Sequence, residues 1–146
     1  MGPRVQIKKL RPDAVVPRYA TKAAAGLDLC AAIDAPITIQ PRQRVAISTG
    51  LAMKIADGFE GQIRPRSGLA RDHGITCTNS PGTIDSDYIG PVTILLINHG
   101  TEPFTIESGH RIAQIVIAPV VQAELVEVEE LAATERGSGG FGSTGR

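Results

Sequence analysis

The sequence predicts a mainly β domain, a distorted jelly roll or barrel, with one short helix and a flexible glycine-rich C-terminal arm. Valine and isoleucine come in short runs between glycines and prolines, and turn signals recur about every eight to twelve residues, as in sandwiches and barrels. Only 3% of the residues are aromatic and none is tryptophan, so Val, Ile, Leu and Ala must build the core. A length of 146 residues suits one domain, which we expect at 1–131, followed by the arm at 132–146.

The first half of the chain contains the predicted strands that precede the helix. Segment 27–32 alternates apolar residues with small or polar ones, as a half-buried strand does. Breaks are expected at Gly50 and at the pairs 40–41 and 57–58, because glycine and proline interrupt strands. The predicted strands in this half are 5–10, 27–32, 37–39, 42–49, 51–56 and 59–64.

A single short helix is predicted at 67–73. Ser67 is a suitable N-cap residue and Gly74 a suitable residue to end the helix. The strands predicted after it are 75–78, 92–98, 103–107, 111–119 and 123–128.

Segment 82–90 is the stretch on which the functional interpretation depends. It places Asp85, Asp87 and Tyr88 between Gly82 and Gly90, before a strongly apolar run. The pattern predicts a β-hairpin with polar groups at its tip. Taken alone, the two acids are also typical of an ordinary turn.

Two further segments have the composition of a phosphate-binding site. Arg66 and Ser67 stand where a strand ends and a helix begins, where guanidinium, hydroxyl and free amide groups suit an anion, although an ordinary N-cap beside surface arginines has the same sequence. The glycine-rich arm carries Arg136 and hydroxyl residues, and Phe141 is suited to stacking on a flat ligand. A disordered tail would have the same composition.

Charge and composition exclude several classes of function. The formal net charge is zero, so no basic surface for non-specific nucleic-acid binding is expected. No apolar run is long enough to span a bilayer and no signal core is evident, so we expect a cytoplasmic protein without membrane contact. Cys30 and Cys77 lack zinc-site spacing and are expected as buried thiols in strands. Asp28, inside an apolar strand, needs a metal or an arginine as partner if it is half-buried, and none if it lies at a strand edge.

Five motifs follow one another along the chain: 25–32 (AGLDLCAA), 64–70 (RPRSGLA), 79–90 (NSPGTIDSDYIG), 109–114 (GHRIAQ) and 136–145 (RGSGGFGSTG). Together they resemble the motifs of the trimeric deoxyuridine triphosphate nucleotidohydrolases, the dUTPases. The resemblance implies a jelly-roll homotrimer that hydrolyses dUTP at the α-phosphorus to dUMP and pyrophosphate, which limits uracil incorporation into DNA and supplies dUMP for thymidylate synthesis. It further implies active sites shared between subunits, with the arm closing over a neighbouring site.

The same resemblance implies roles for individual residues. Asp85 would be the base that activates water, and Tyr88 would lie against the deoxyribose, where a ribose 2′-OH would collide. Phe141 would stack on uracil, and Asp28 would contact a Mg²⁺ ion through water. The residues implied to read uracil are Asn79, Gly82, Thr83, Ile84 and Thr93, and those implied to bind phosphates or close the site are Arg66, Ser67, Gly68, Gln114, Arg136, Gly142, Ser143 and Thr144.

One position departs from the family pattern, because His110 stands where an acid is usual. The substitution puts in doubt the pairing of that acid with a neighbouring arginine. Two other functions share much of this pattern: a deoxycytidine triphosphate deaminase of the same fold, and a non-enzymatic nucleotide sensor. The 82–90 stretch and the complete arm favour the dUTPase interpretation over both.

Overall fold

The computed structural model describes residues 2–141 and is mainly β. In this part of the chain ten strands and one helix follow one another, and the helix agrees with the predicted bounds. The elements are β1 (Val5–Lys9), β2 (Leu27–Cys30), β3 (Ile37–Ile39), β4 (Arg44–Ile55), β5 (Phe59–Arg64), α1 (Ser67–His73), β6 (Ile75–Cys77), β7 (Gly82–Ile84), β8 (Pro91–Asn98), β9 (Phe104–Ile106) and β10 (Arg111–Pro119).

Two four-stranded antiparallel sheets make up most of the fold. One has the order β1-β4-β8-β6 and the other the order β2-β10-β5-β7, while β3 and β9 form a small third sheet. Neighbours in each sheet are far apart in sequence, as in jelly rolls, so the predicted fold class is confirmed.

The core is built from aliphatic side chains, as the composition predicts. Strand β8 alternates buried and exposed residues, which places Val92, Ile94 and Leu96 in the interior. Leu29 and Ile115, from the other sheet, belong to the same buried cluster. Each such side chain stabilises the fold by roughly 1.5–3 kcal/mol through its removal from water.

The predicted break at Gly50 is wrong, because β4 runs through it from Arg44 to Ile55. The register against β8 shifts between Ser48 and Ala52, so the glycine lies in an irregularity of the strand. Gly50 has a φ of 65°, and a Cβ there would lie 2.9 Å from the Ala14 Cβ. Glycine is therefore required here by close packing and positive φ, and it does not end the strand.

The prediction that Ser67 caps α1 is also wrong. Arg66 is the N-cap residue, no side chain caps the helix, and Ser67 is its first residue. Its hydroxyl is consequently not used by the helix. The predicted end at Gly74 is confirmed: this glycine has a φ of 68° and donates its amide to the last turn.

No strand forms at 123–128, contrary to prediction, and no strand or helix follows Pro119 as far as residue 141. Alternation of apolar and polar residues predicts a pleated segment, but a strand also needs a hydrogen-bonding partner. Within one chain this segment is exposed, including Leu125, Val126 and Val128. The predicted division between domain and arm at residue 131 stays a prediction.

Cys30 and Cys77 are free and buried, as predicted. Burial raises the pKa of the Cys77 thiol from 9.0 to about 11, and burial also raises that of Cys30. Folding therefore favours the neutral thiols, and this contribution to stability is lost as the pH rises through these values.

We expect iodoacetamide at pH 8 to leave both cysteines unlabelled in the native protein and to label both in urea, as measured by intact mass. Rapid labelling of the native protein would contradict the burial of the thiols.

Candidate functional site

Segment 82–90 connects the two sheets and is not a hairpin, which corrects the prediction. Strand β7 pairs with β5, with Gly82 opposite Ile63 and Ile84 opposite Gly61. Strand β8 pairs with β4 and β6 in the other sheet. Both strands have the β propensity of hairpin arms, but each finds its partner elsewhere. The segment therefore lies where the sheets separate, and this leaves room for a pocket.

A pocket of about 310 Å³ opens at this connection. Its wall combines residues from β7, from the segment that follows it and from β8, so one cavity gathers most of the residues predicted at the centre of the site. The predicted residues that line it are Asn79, Gly82, Thr83, Ile84, Asp85, Tyr88 and Thr93.

Tyr88 forms one side of this pocket. Its amide donates to the Asp85 carbonyl oxygen (3.2 Å), which holds the main chain, and its Oη donates to the Pro91 carbonyl oxygen (2.9 Å), which holds the ring. A Cβ added to Gly90 would lie 2.6 Å from the Tyr88 Oη. Gly90 is thus the residue that allows the ring to lie across the turn, a role that the turn pattern alone does not reveal.

Asp85 is exposed and borders two cavities. It lines the pocket just described and a second one of about 490 Å³, which also contains Glu60 and Asp87. A carboxylate in this position can contact both a ligand in the pocket and solvent water.

A second group of predicted residues lies together on the outer face of the β2-β10-β5-β7 sheet. In β10, Gln114 is paired with Asp28 of β2 on one side and with Arg64 of β5 on the other. Directly paired residues of antiparallel strands project to the same face, so the three form a row across the sheet. Helix α1 begins three residues after Arg64.

Asp28 is bound by two arginines, which answers the prediction that it needs a partner. Its Oδ1 accepts from the Arg66 Nε at 3.0 Å and its Oδ2 accepts from the Arg111 Nη1 at 3.2 Å. The Asp28 side chain is only 28% exposed. Strict alternation along β10 would not bring Arg111 to this carboxylate. The register shift between Arg111 and Ala113 allows it, and the sequence shows no sign of that bulge.

Gln114 is tied to the segment that precedes α1. Its Nε2 donates to the Pro65 carbonyl oxygen at 3.0 Å. A Cβ at Gly26 would lie 2.4 Å from the Gln114 Oε1, so only glycine leaves this side chain in place. Gly26 of the first motif therefore leaves the space that the Gln114 side chain of the fourth motif occupies.

His110 takes part in a local turn. Its Nδ1 accepts from the Glu107 amide at 3.2 Å, and its Nε2 lies 3.8 Å from the Glu107 Oε2. The arginine next to it has a carboxylate partner in Asp28. The pairing that the His110 substitution put in doubt is thus supplied from another strand.

Asp28, Arg66 and Arg111 together form an arginine cluster. Within one chain this cluster is separate from the pocket. Neither Asp28, Arg66, Ser67 nor Gln114 lines the pocket. Phe141 of the arm is fully exposed. Within the arm, the Arg136 Nε donates to the Gly139 carbonyl oxygen. The predicted residues Gly142, Ser143 and Thr144 lie outside the described residues.

Residues 2–141 contain neither a metal-ligand cluster nor a membrane-spanning helix. This range holds no cluster of three or more His, Cys, Asp or Glu side chains that could bind a metal ion. It also holds no helix long and apolar enough to cross a membrane.

Comparison with known proteins agrees on one family. Residues 13–145 match the family model described as dUTPase. The chain is 60% identical to the deoxyuridine 5′-triphosphate nucleotidohydrolase of Nautilia profundicola, covering 98% of this chain and 99% of that protein. It is 59% identical to the same-named protein of an Anaeromyxobacter species, covering 92% and 90%.

Solved structures show the same architecture. A structure of the Staphylococcus bacteriophage 80alpha dUTPase with dUPNHPP has a TM-score of 0.89 and 29% identity, covering 98% of this chain and 99% of that one. A mutant dUTPase from phage phi11 of S. aureus has a TM-score of 0.81 at 24% identity, covering 89% and 99%, and its description names a structural Mg(II) ion. At that identity the second likeness concerns the fold.

Proposed function

The chain belongs to the dUTPase family and is an enzyme that hydrolyses dUTP to dUMP, and we propose that the pocket lined by Asp85 and Tyr88 is where the nucleoside part of dUTP binds. The observation that carries this assignment is the convergence of seven predicted residues on one cavity of about 310 Å³. A pyrimidine nucleoside needs a concave site of this kind, with few polar groups placed to fix its orientation.

Asp85 is proposed as the general base. Its exposed carboxylate stands at the mouth of the pocket, where it can hold a water for attack on the α-phosphorus. The water loses a proton to Asp85 as its oxygen bonds to phosphorus, and the bond from the α-phosphorus to the bridging oxygen breaks, releasing pyrophosphate. Main-chain groups near Asn79 and Thr83 would read uracil, and cytosine would leave them unpaired.

The phosphates are proposed to bind at the arginine cluster of the outer sheet face. Arg66 and the Gln114 amide supply donors there, and the free Ser67 hydroxyl and the Gly68 amide lie at the start of α1. Charge-assisted hydrogen bonds from a guanidinium suit phosphate oxygens. Arg136, Ser143 and Thr144 would arrive on the arm, with Phe141 stacked on uracil.

A homotrimer is proposed, because each half of the site is incomplete in one chain. The nucleoside pocket does not include the arginine cluster, so a neighbouring subunit would complete it. Segment 120–131 leaves Val121, Leu125 and Leu131 exposed, which a partner subunit would cover. Sedimentation equilibrium tests this directly: a monomer with full activity would contradict the shared site.

Mg²⁺ is proposed to arrive with the triphosphate. Both Asp28 oxygens already accept hydrogen bonds from arginines, so direct metal ligation by this side chain does not fit, whereas contact through a metal-bound water does. Mg²⁺ keeps several waters and is commonly held by substrate phosphates. When bound, the ion would neutralise phosphate charge during the displacement.

A cytoplasmic location is proposed on the basis of the two free thiols. Cys30 and Cys77 are unpaired and buried, which is usual in a reducing compartment.

The test is a nucleotide panel of dUTP, dCTP, dTTP and UTP, with and without Mg²⁺. We expect pyrophosphate from dUTP alone, at a rate increased by Mg²⁺, and no ammonia from dCTP. Ammonia release would establish the deaminase, and tight dUTP binding without any turnover would establish the nucleotide sensor.

Gly90→Ala is expected to weaken selection of the sugar. The added methyl group would force the Tyr88 ring out of its position across the turn, since a Cβ at residue 90 would lie only 2.6 Å from the Tyr88 Oη. We expect the ratio of kcat/KM for dUTP to that for UTP to fall by about tenfold, because a displaced ring no longer excludes the 2′-OH. Gly58→Ala is the control: its φ is positive, unlike that of Gly90, so the substitution strains the backbone, but a Cβ there meets nothing within 4 Å. Equal ratios in the two variants would remove Gly90 from substrate selection.

A further inference from the structure

Arg111 has an unexplained position in the proposed site. It belongs to the arginine cluster, yet no function proposed above requires its side chain. Its side chain is 58% exposed, and its guanidinium is held by one carboxylate oxygen, the Oδ2 of Asp28. An exposed ion pair of this kind contributes little to stability, so packing alone does not account for it.

The contacts of Asp28 link Arg111 to Arg66. Asp28 uses one oxygen for each arginine, so Arg111 fixes the rotation of the carboxylate to which the Arg66 Nε is bound. The two arginines also meet directly, because the Arg66 Nη1 donates to the Arg111 carbonyl oxygen at 3.4 Å. Arg66 is thereby held from two sides by strands β2 and β10.

Charge leads to the same conclusion. Arg66 and Arg111 carry two positive charges against the single negative charge of Asp28, so the group is net positive. Without Arg111, Asp28 would cancel the charge of Arg66, and the Asp28 carboxylate would be held through one oxygen only. With Arg111, the guanidinium of Arg66 stays oriented and the cluster still attracts an anion.

We propose that Arg111 is a positioning residue for phosphate binding, acting through Asp28 to orient Arg66 and to keep the cluster positive. This proposal rests on the assignment of the cluster as the phosphate site. Arg111 itself does not contact the reacting atoms.

The test is Arg111→Gln in the full chain, assayed by pyrophosphate release from dUTP. We expect KM to rise about tenfold with kcat changed less than about threefold. The reason is that the orientation of Arg66 and the charge of the cluster stabilise the bound substrate and the transition state equally. The inhibition constant of deoxyuridine, which has no phosphate, should stay unchanged. Arg111→Lys, which retains a charged donor, should recover most of the loss.

Arg71→Gln is the matched control, because Arg71 also pairs with an aspartate, Asp72, but on the exposed side of α1. Its KM should equal that of the unaltered protein. A double-mutant cycle adds a second readout: in an Asp28→Asn background, Arg111→Gln should cause a smaller loss than in the unaltered protein, since its route to Arg66 is already removed and only its charge remains to be lost.

The outcomes separate the two proposals. A KM for Arg111→Gln equal to that of Arg71→Gln overturns the positioning role, as does an equal loss of deoxyuridine affinity or full additivity with Asp28→Asn. If the unaltered protein releases no pyrophosphate from dUTP, the proposed function fails instead. Thermal melting of each variant confirms that the comparison concerns folded protein.

Discussion

Asp85→Asn is expected to lower kcat for dUTP by about 100-fold to 10,000-fold, the range typical of a general base. The amide has nearly the shape of the carboxylate but cannot take a proton from the attacking water. Asp85 is exposed at the mouth of the pocket, so its replacement leaves no buried group unsatisfied and should not unfold the protein. Binding of a non-hydrolysable dUTP analogue should therefore remain within a few-fold.

The adjacent Asp87 provides the control. Asp87→Asn removes the same charge two residues away, in the same connecting segment, and is expected to retain turnover within about threefold. Single-turnover kinetics with calorimetry of analogue binding separates chemistry from affinity. Unchanged hydrolysis by Asp85→Asn would remove this residue from the mechanism, and equal losses in both variants would indicate a general charge effect in the acidic cavity with Glu60.

Removal of residues 136–146 is expected to abolish most turnover while leaving the fold intact. The residues of the arm within 136–141 form no strand or helix and contribute nothing to the buried core, so the melting temperature should change little. The deletion removes Arg136, the hydroxyl residues and the aromatic lid. Loss of one preorganised charge-stabilising donor typically costs about 100-fold to 1,000-fold in kcat, and we expect a loss at least that large.

The deletion requires three measurements on the same sample: kcat, melting temperature and sedimentation. Phe141→Ala is the finer variant, expected to raise KM for dUTP by about tenfold through lost stacking while retaining the phosphate contacts. A truncated protein that dissociates or unfolds would show that the arm is structural, and undiminished turnover would show that it is not a lid.

The motifs proposed to carry the chemistry could be singled out from the sequence because they depend on residue type at close spacing. Asp85, Tyr88 and the residues proposed to read uracil lie within one short segment, and the backbone alone holds them near one another. Arg111 could not be found in this way, because its partner is on another strand and a bulge decides whether it reaches that partner. The role of Gly26 toward Gln114 depends likewise on a contact between distant motifs.

The sequence by itself determined the all-β class, the aliphatic core, the bounds of α1 and most strands, since alternation and turn residues are local signals. Only the tertiary structure decided that β7 and β8 belong to different sheets, that β4 continues through Gly50 and that 123–128 forms no strand. The physical reason is that alternation encodes which face of a strand is buried, whereas pairing depends on which edge is available in space. Segment 82–90 therefore has the sequence of a hairpin and the structure of a crossing between sheets, and that crossing forms the pocket.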